Sequence, residues 1–123
     1  MILSAVMLSS EHPKELGKFY RDVVGLKMNS EEEWGEAEYG MKLELGNGVS
    51  LFVSSHSEVK GRNENPSRLF LNFETEDLDT KFNELKDKKA KVLKEPYDVE
   101  GYARMATFED TDGNYFQLIK LFN

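Results

Sequence analysis

Apolar and polar residues follow two different periods along this chain, and the same succession occurs twice. The first half opens with an apolar, β-tolerant run over residues 2–9. Apolar residues then recur at the spacing of one helix face, which predicts an amphipathic helix. Pro13 suits its first turn, and Gly25 is placed to end it in a left-handed cap. The apolar face is formed by Leu16, Phe19, Tyr20, Val23 and Val24.

Strands are expected after this helix. Residues 26–28 open one of them, and Glu31-Glu32-Glu33 is interpreted as an exposed turn or loop. Residues 37–45 alternate well enough for a further strand. Gly46-Asn47-Gly48 is a strong hairpin signal, so residues 49–54 are expected to return beside that strand.

The second half repeats this order after a polar connection. Residues 55–66, SHSEVKGRNENP, contain glycine and proline and are interpreted as a linker. Residues 68–73 predict a strand, and residues 90–93 predict a short strand after the next helix. Residues 103–108 and 114–122 predict a final hairpin. The intervening amphipathic helix presents Leu78, Phe82 and Leu85.

The repeated order predicts an α+β fold of two βαβββ modules that form a cupped mixed sheet. A length of 123 residues favours a single domain over 1–123. Module one is placed at about 1–56, the linker at about 57–66 and module two at about 67–123. Each sheet would have one face covered by a helix and one bare face, which must be covered or bend around a cavity. Such a hollow suits a small organic molecule.

Composition narrows the classes of partner and compartment. The absence of cysteine excludes disulfides, thiolate metal sites and thiol nucleophiles. A net charge of −7 repels phosphate backbones and anionic lipids, so neither nucleic acid nor a membrane is an expected partner. No apolar run approaches the roughly 18 residues that cross a bilayer. The start of the chain also lacks the basic region of a signal peptide, so a cytoplasmic location is expected.

Two motifs resemble signatures of a known superfamily. Gly17-Lys18-Phe19-Tyr20-Arg21-Asp22-Val23-Val24-Gly25-Leu26 resembles the "FYrdvLGl" signature of the vicinal oxygen chelate superfamily. Its members include glyoxalase I, extradiol dioxygenases, fosfomycin-resistance enzymes and bleomycin-resistance proteins. Phe108-Glu109-Asp110-Thr111-Asp112-Gly113-Asn114 resembles the second signature, "f-x-DPDGN". The resemblance spans essentially the whole chain, and it implies the glyoxalase/bleomycin-resistance-like fold and a homodimer.

The resemblance also implies where metal ligands would lie. Metal-dependent members have His and Glu ligands near the inner ends of the first, fourth, fifth and eighth strands. Carried over residue by residue, these positions are Ala5, Leu51 (or Phe52 if the hairpin shifts register), Arg68 and Gln117. A protonated guanidinium cannot coordinate, and an amide oxygen is at best a weak ligand. Neither a metal nor another cofactor is therefore expected.

Arg68 and Gln117 are the first candidates for ligand binding, because both would point into the hollow. Arg68 can present a fork to a carboxylate or phosphate of the bound molecule, or it can form an internal salt bridge with Glu109 or another carboxylate. Strand alternation places further side chains on the same faces. Those beside Arg68 are Asn72 and Phe70, and the one beside Gln117 is Tyr115.

Aromatic residues near the expected cavity mouth are the other candidates. Trp34, Tyr97 and Tyr102 can line a ligand site or pack at a dimer interface. His56 is interpreted as a residue of the cavity rim or of the linker. The adjacency of Ser54, Ser55, His56 and Ser57 is interpreted as a polar linker, since a catalytic triad needs a buried orienting acid and an oxyanion hole.

Three functions remain open on this reasoning. The first is a metal-independent small-molecule-binding protein that resembles bleomycin-resistance proteins and holds its ligand in a cleft of a homodimer. The alternative is a metal-dependent lyase, isomerase or dioxygenase that resembles glyoxalase I. The third is a structural or regulatory dimer with a vestigial cavity. No catalytic residue is assigned. A dimer is also expected because a monomer would leave some apolar residues poorly covered, namely Val49, Val53, Phe70 and Ile119.

Overall fold

The computed structural model describes residues 1–35 and 38–123. The chain divides into two compact units, Met1–Gly61 and Arg62–Asn123. Each unit has the order strand, helix, then three strands, which confirms the predicted α+β class and the paired βαβββ modules. In the described residues, every helix is too short or too polar to cross a membrane.

The first unit is a four-stranded sheet with helical turns on one face. Its strands lie in the order β1-β4-β3-β2, with β1 parallel to β4 and the other neighbours antiparallel. The elements are β1 (Ala5–Ser10), α1 (Pro13–Lys18), a π-helical segment (Phe19–Val24), β2 (Met28–Glu33), β3 (Tyr39–Gly46) and β4 (Val49–Ser55).

The helical turns of the first unit pack closely on the sheet. Leu16 and Tyr20 are fully buried, against a sheet surface that includes Leu43. A Cβ atom at Gly17 would lie 3.0 Å from the sulfur of Met41, so glycine permits the close approach of α1 to β3. The predicted helix is confirmed, and its second half is wound more widely as a π-helix. The predicted cap is also present, since the residue after Val24 is a glycine in the left-handed conformation with φ of 91°.

The second unit repeats the arrangement. Its strands lie in the order β5-β8-β7-β6, with β5 parallel to β8. Asp77 caps the helix by accepting a hydrogen bond from the backbone N–H of Thr80 at 3.2 Å. Phe108 and Phe116 stack in the core with ring centroids 5.3 Å apart. The elements are a short 3₁₀ turn (Pro66–Arg68), β5 (Phe70–Glu74), α2 (Leu78–Asp87), β6 (Lys91–Val99), β7 (Ala103–Glu109) and β8 (Tyr115–Leu121).

The second signature motif forms the tight turn between β7 and β8. One carboxylate oxygen of Asp110 accepts hydrogen bonds from the backbone N–H groups of Asp112 and Asn114, each at 2.9 Å. Its other oxygen accepts from the side-chain amide of Asn114 at 2.9 Å. Gly113 adopts φ of 83°, which glycine takes without strain. The motif therefore has a structural explanation within this turn.

The segment before β5, at residues 62–63, is bonded to the same turn. The backbone N–H of Asn63 donates to the carbonyl of Asp112 at 2.8 Å, and its side-chain amide donates to Asn114 at 2.9 Å. Arg62 lies over Gly113 and forms an ion pair with Glu109. This segment and the turn thus form one hydrogen-bonded structure, defined here as the turn latch.

Two predicted elements are wrong in detail. Residues 31–33 lie in β2 and are not a loop, because an edge strand that is exposed on both faces accepts charged side chains. Arg68 lies in the 3₁₀ turn and not in a strand, because Pro66 starts that turn and β5 begins only at Phe70. The strand predicted from residue 37 begins at Tyr39, and Ala37 lies outside the described residues.

The expected lack of cover over apolar residues holds only in part. Val53 is fully buried and Ile119 is 6 % exposed. Ile119 belongs to a small apolar cluster with Ala103 and Met105. Phe70 is 37 % exposed, so it alone of these residues fits the expectation well.

Candidate functional site

The sheet of the first unit separates a core face from an open face. Along β4, Leu51 and Val53 are fully buried on the face toward the helical turns. Strand alternation places Phe52 and Ser54 on the opposite, open face. Met7 pairs with Phe52 across β1 and β4, so it shares that open face.

A cavity of about 720 Å³ lies at one end of this sheet. The parallel strands β1 and β4 both end there, at Ser10 and Ser55, and β3 begins there at Tyr39. This volume lies within the range of cavities that hold drug-sized ligands, roughly 300–1,000 Å³. All the described residues that line it belong to the first unit.

Two aromatic rings form an apolar wall of the cavity. Trp34 and Phe52 both lie over Gly40, where an added Cβ atom would be 2.8 Å from either ring. The rings thus occupy the space that a side chain on β3 would fill. Trp34 remains 45 % exposed, so its indole is accessible from solvent. An accessible indole beside a phenyl ring suits contact with an apolar or aromatic molecule.

Hydroxyl groups and one imidazole form a polar wall. The Ser10 hydroxyl accepts the backbone N–H of His12 at 2.8 Å, and the Ser55 hydroxyl accepts that of Tyr39 at 3.1 Å. The Nδ1 atom of His56 accepts the backbone N–H of Glu58 at 3.1 Å. In its neutral form His56 therefore has its proton on Nε2, which can donate.

Charged side chains on the cavity rim are mostly acidic. Glu11 accepts the backbone N–H of Gly61 at 3.1 Å and lies 3.9 Å from the Lys60 ammonium. Glu38 lines the same cavity and is exposed. With both glutamates charged and Lys60 protonated, the lining has a net negative charge.

Tyr39 links the cavity to a polar network on the neighbouring strand. Tyr39 is 5 % exposed, and its phenol donates a hydrogen bond to Glu31 on β2. Burial, reinforced by the adjacent Glu31 carboxylate, raises the pKa of the Tyr39 phenol well above its usual range. Lys14 donates to Glu33 at 2.7 Å, and this contact lowers the pKa of the Glu33 carboxyl. Tyr39 is thus held as a neutral donor whose proton is committed to Glu31.

Four of the predicted site residues meet on the open face of the second sheet. Phe70 pairs with Tyr115 across β5 and β8, with ring centroids 5.6 Å apart. Asn72 pairs with Gln117 in the same strands, and the Gln117 amide donates to Thr107 at 3.1 Å. The shared face is as predicted, whereas the ligand-binding role of these residues stays a prediction.

The remaining predicted residues are dispersed. Trp34 and His56 line the cavity of the first unit. Tyr102 is 50 % exposed and lies in the turn between β6 and β7. Arg68 is exposed in its 3₁₀ turn and has no ion pair within the described part of the chain. The expectation that Arg68 points inward from a strand is therefore wrong.

The alternative salt bridge between Arg68 and Glu109 is also wrong. Glu109 is 7 % exposed and forms ion pairs with Arg62 and, at 3.2 Å, with Lys91. Arg62 replaces Arg68 as the partner because the turn latch holds residue 62 beside the β7–β8 turn.

The residues at the metal positions implied by the resemblance do not fit a metal. Ala5 has no donor, Leu51 is in the core, and Phe52 has no donor either. Arg68 is a cation, and the Gln117 amide is engaged with Thr107. Across residues 1–35 and 38–123, no three His, Asp or Glu side chains are arranged to hold a metal ion. A divalent transition metal needs several converging donors, and this set does not supply them.

Sequence reasoning misses the polar wall. The four residues at 54–57 have the composition of a polar linker. All four nevertheless line the cavity, together with Ser10; they are Ser54, Ser55, His56 and Ser57. One signal for the wall is the alternation of Ser50, Phe52 and Ser54, which places small polar side chains on one face of a strand. A glycine inside β3 is a second signal, because it often marks a close approach.

Comparison with known proteins identifies the class. The sequence model of the Glyoxalase/Bleomycin resistance protein/Dioxygenase superfamily matches residues 2–118. The chain belongs to this superfamily, and the resemblance seen in the two motifs is confirmed. A similar sequence is that of the uncharacterized protein YraH from Bacillus subtilis strain 168. It is 30 % identical over 128 aligned positions, covering 98 % of each chain.

Solved structures share the fold at lower identity. The crystal structure of TnmS3, an antibiotic binding protein from Streptomyces sp. CB03234, matches with a TM-score of 0.73 and 19 % identity. The alignment covers 99 % of this chain and 97 % of TnmS3. TioX from Micromonospora sp. ML1 matches with a TM-score of 0.77 and 14 % identity, over 99 % of this chain and 100 % of TioX. At such identities the likeness concerns the fold alone.

Proposed function

We propose that this chain is a metal-independent small-molecule-binding protein of the bleomycin-resistance kind. The observation that carries the proposal is the cavity of the first unit, which is lined by Trp34 and Phe52 together with hydroxyl groups and an imidazole. An apolar surface with a few fixed polar groups is the usual composition of a ligand site. Membership of a superfamily that includes bleomycin-resistance proteins supports this function, as does the shared fold of the antibiotic binding protein TnmS3.

The binding test uses the tryptophan of the cavity wall. The chain has one tryptophan, Trp34, so its fluorescence reports on this site without interference from another indole. Purified protein is titrated with a library of drug-sized aromatic and aliphatic compounds, with correction for absorbance by each compound. Saturable quenching or a shift of the emission maximum is expected for at least one compound class. A library that produces no saturable change, checked by calorimetry, would contradict the binding function.

The proposed independence from metal rests on the donor set. Ala5, Leu51 and Arg68 cannot coordinate a metal, which disfavours the metal-dependent lyase, isomerase or dioxygenase that is the alternative. Elemental analysis of dialysed protein is expected to find no stoichiometric zinc, nickel, iron or manganese. About one metal ion per chain, retained after chelator treatment, would refute metal independence and favour the enzyme.

A homodimer is the second part of the proposal. It is supported by exposed apolar side chains such as Met7, which is 67 % exposed, and Phe70. Covering such side chains is a common source of self-association. Light scattering at micromolar protein concentration is expected to give twice the chain mass. A monomer under those conditions would remove the dimer from the proposal, while the binding test stands independently.

A further inference from the structure

The polar wall of the first-unit cavity has hydrogen-bond donors without acceptors. Each of the Ser10 and Ser55 hydroxyls already accepts a backbone N–H, at 2.8 and 3.1 Å. Within the described residues, neither hydroxyl donates its own proton to another group. A hydroxyl has only one proton, and a buried donor without a partner costs free energy. Both hydroxyls therefore keep a proton to donate at this end of the sheet, but strand alternation places Ser10 and Ser55 on the core face with Leu51 and Val53, and not on the open face with Ser54.

Ser54 and His56 add to this set. Ser54 is 7 % exposed, lines the cavity and has no side-chain hydrogen bond within the described part of the chain. His56 accepts at Nδ1 from Glu58, so the neutral ring has Nε2–H available for a ligand. The nearby phenol of Tyr39 does not compete, because its proton is donated to Glu31. Ser54, on the open face, and His56, just beyond the end of β4, are therefore the donors available to a ligand in this cavity.

The charges on the rim select among acceptors. Glu11 and Glu38 outnumber Lys60, and the whole chain has a net charge of −7. A carboxylate or phosphate entering this cavity would meet like charge, which opposes binding at ordinary ionic strength. A neutral carbonyl oxygen accepts hydrogen bonds without that repulsion. The rings of Trp34 and Phe52 lie on the same open face as Ser54 and favour a flat conjugated ring system.

We infer that the ligand is a neutral aromatic carbonyl compound, whose ring contacts Trp34 and whose carbonyl oxygen accepts hydrogen bonds from Ser54 and His56. This inference rests on the proposed binding function and specifies its ligand class. Ser54 and His56 determine the preference for the carbonyl group, whereas Trp34 and Phe52 accept the ring whether or not the carbonyl is present.

The test compares four tricyclic probes of similar shape by Trp34 fluorescence. Fluorenone has the carbonyl, and fluorene has the same skeleton with a methylene group in its place. Fluorenone-4-carboxylate adds a negative charge, and proflavine supplies a cationic ring. Fluorenone is expected to bind at least roughly tenfold more tightly than fluorene, because the donors stay unpaired with fluorene. Fluorenone-4-carboxylate is expected to bind more weakly than fluorenone because the rim is acidic. Proflavine is expected to bind more weakly although the rim attracts a cation, because it has no carbonyl oxygen to accept from Ser54 and His56.

Variants of Ser54 and His56 test whether these residues cause the preference for the carbonyl group. Ser54→Ala is expected to weaken fluorenone binding by roughly 2- to 12-fold, the worth of one neutral hydrogen bond, and to leave fluorene unchanged. Ser50→Ala is the matched control, since Ser50 lies on the same face of β4, is 9 % exposed and does not line this cavity. His56→Phe provides a second variant in an exposed segment, so a failure of Ser54→Ala to fold leaves the inference testable. Thermal melting verifies that each variant is folded.

The outcomes separate this inference from the proposed function. Equal affinity for fluorenone and fluorene, or no effect of Ser54→Ala and His56→Phe on fluorenone, would overturn the carbonyl preference. Tighter binding of either charged probe would do the same. If other library compounds bind while fluorenone does not, the ligand class is wrong and the binding function stands. If nothing in the library binds, both fail.

Discussion

Replacing Asp110 by alanine tests whether the second signature motif acts through the β7–β8 turn. Asp110 is 4 % exposed, and its carboxylate accepts from two backbone N–H groups and from the Asn114 amide, each at 2.9 Å. A hydrogen bond to a charged group contributes about 1.5–3 kcal/mol, and such contributions within one turn are not additive. Water can reach part of the turn, because Asn114 is half-buried. We therefore expect Asp110→Ala to reduce the free energy of unfolding by about 3–5 kcal/mol.

Urea denaturation followed by circular dichroism measures this loss, with two comparison variants. Asp110→Asn keeps one acceptor oxygen and should cost about 1–2 kcal/mol. Asp77→Ala removes an aspartate that makes a single capping bond to Thr80 at 3.2 Å, and it should cost about 1 kcal/mol. A loss for Asp110→Ala no larger than that for Asp77→Ala would refute the structural explanation of the motif. The turn would then be held by its backbone alone.

Three further predictions concern single residues. Gly40→Ala should displace the Trp34 ring, since the new Cβ would lie 2.8 Å from it. The emission maximum of Trp34 should shift, while the melting temperature should change by little. An unchanged emission spectrum would contradict the packing of the Trp34 and Phe52 rings on Gly40. The pKa of the Tyr39 phenol is raised, so the folded chain holds the phenol proton more tightly than the unfolded chain does. The contribution of this protonated phenol to stability is therefore complete below the ordinary tyrosine pKa, about 10, and it is lost as the pH rises further. Alkaline melts should show this loss in the wild type and not in Tyr39→Phe, and equal slopes would refute it. Arg68→Ala should change the free energy of unfolding by less than about 0.5 kcal/mol, because the side chain is exposed, and a larger loss in urea denaturation would reveal a partner.

The fold could be predicted from the sequence because its signals are local and repeated. The apolar spacing around Leu16 and Phe82 indicates both helices, and Gly46-Asn47-Gly48 indicates the hairpin between β3 and β4. The two motifs are specific enough to indicate the superfamily by themselves. The prediction for residues 31–33 is wrong because their polar composition and their strand pairing give conflicting signals. The three glutamates of β2 have the composition of a loop, yet hydrogen bonding to β3 makes them a strand.

The candidate site could be predicted only in part, since it depends on contacts between distant residues. Strand alternation correctly placed Phe70 and Asn72 on one face of β5, and Tyr115 and Gln117 on one face of β8. The prediction that Arg68 points inward from a strand is wrong, because Arg68 lies in the 3₁₀ turn that precedes β5. Glu109 forms its ion pair with Arg62 instead. The polar wall could not be predicted, because a single serine hydroxyl is not distinctive in a sequence. The serines come together only where the ends of β1 and β4 lie next to the start of β3.

The acidic sequence of the edge strand β2 also bears on how the protein behaves in concentrated solution. If two copies aligned this edge antiparallel about Glu32, that residue would face its own copy, and Glu31 would face Glu33. Directly opposed like charges destabilise a strand pair, so this edge resists the growth of continuous sheets between molecules. The protection depends on ionised carboxylates. Replacing Glu31 and Glu32 by glutamine would remove this repulsion and leave the edge competent for aggregation.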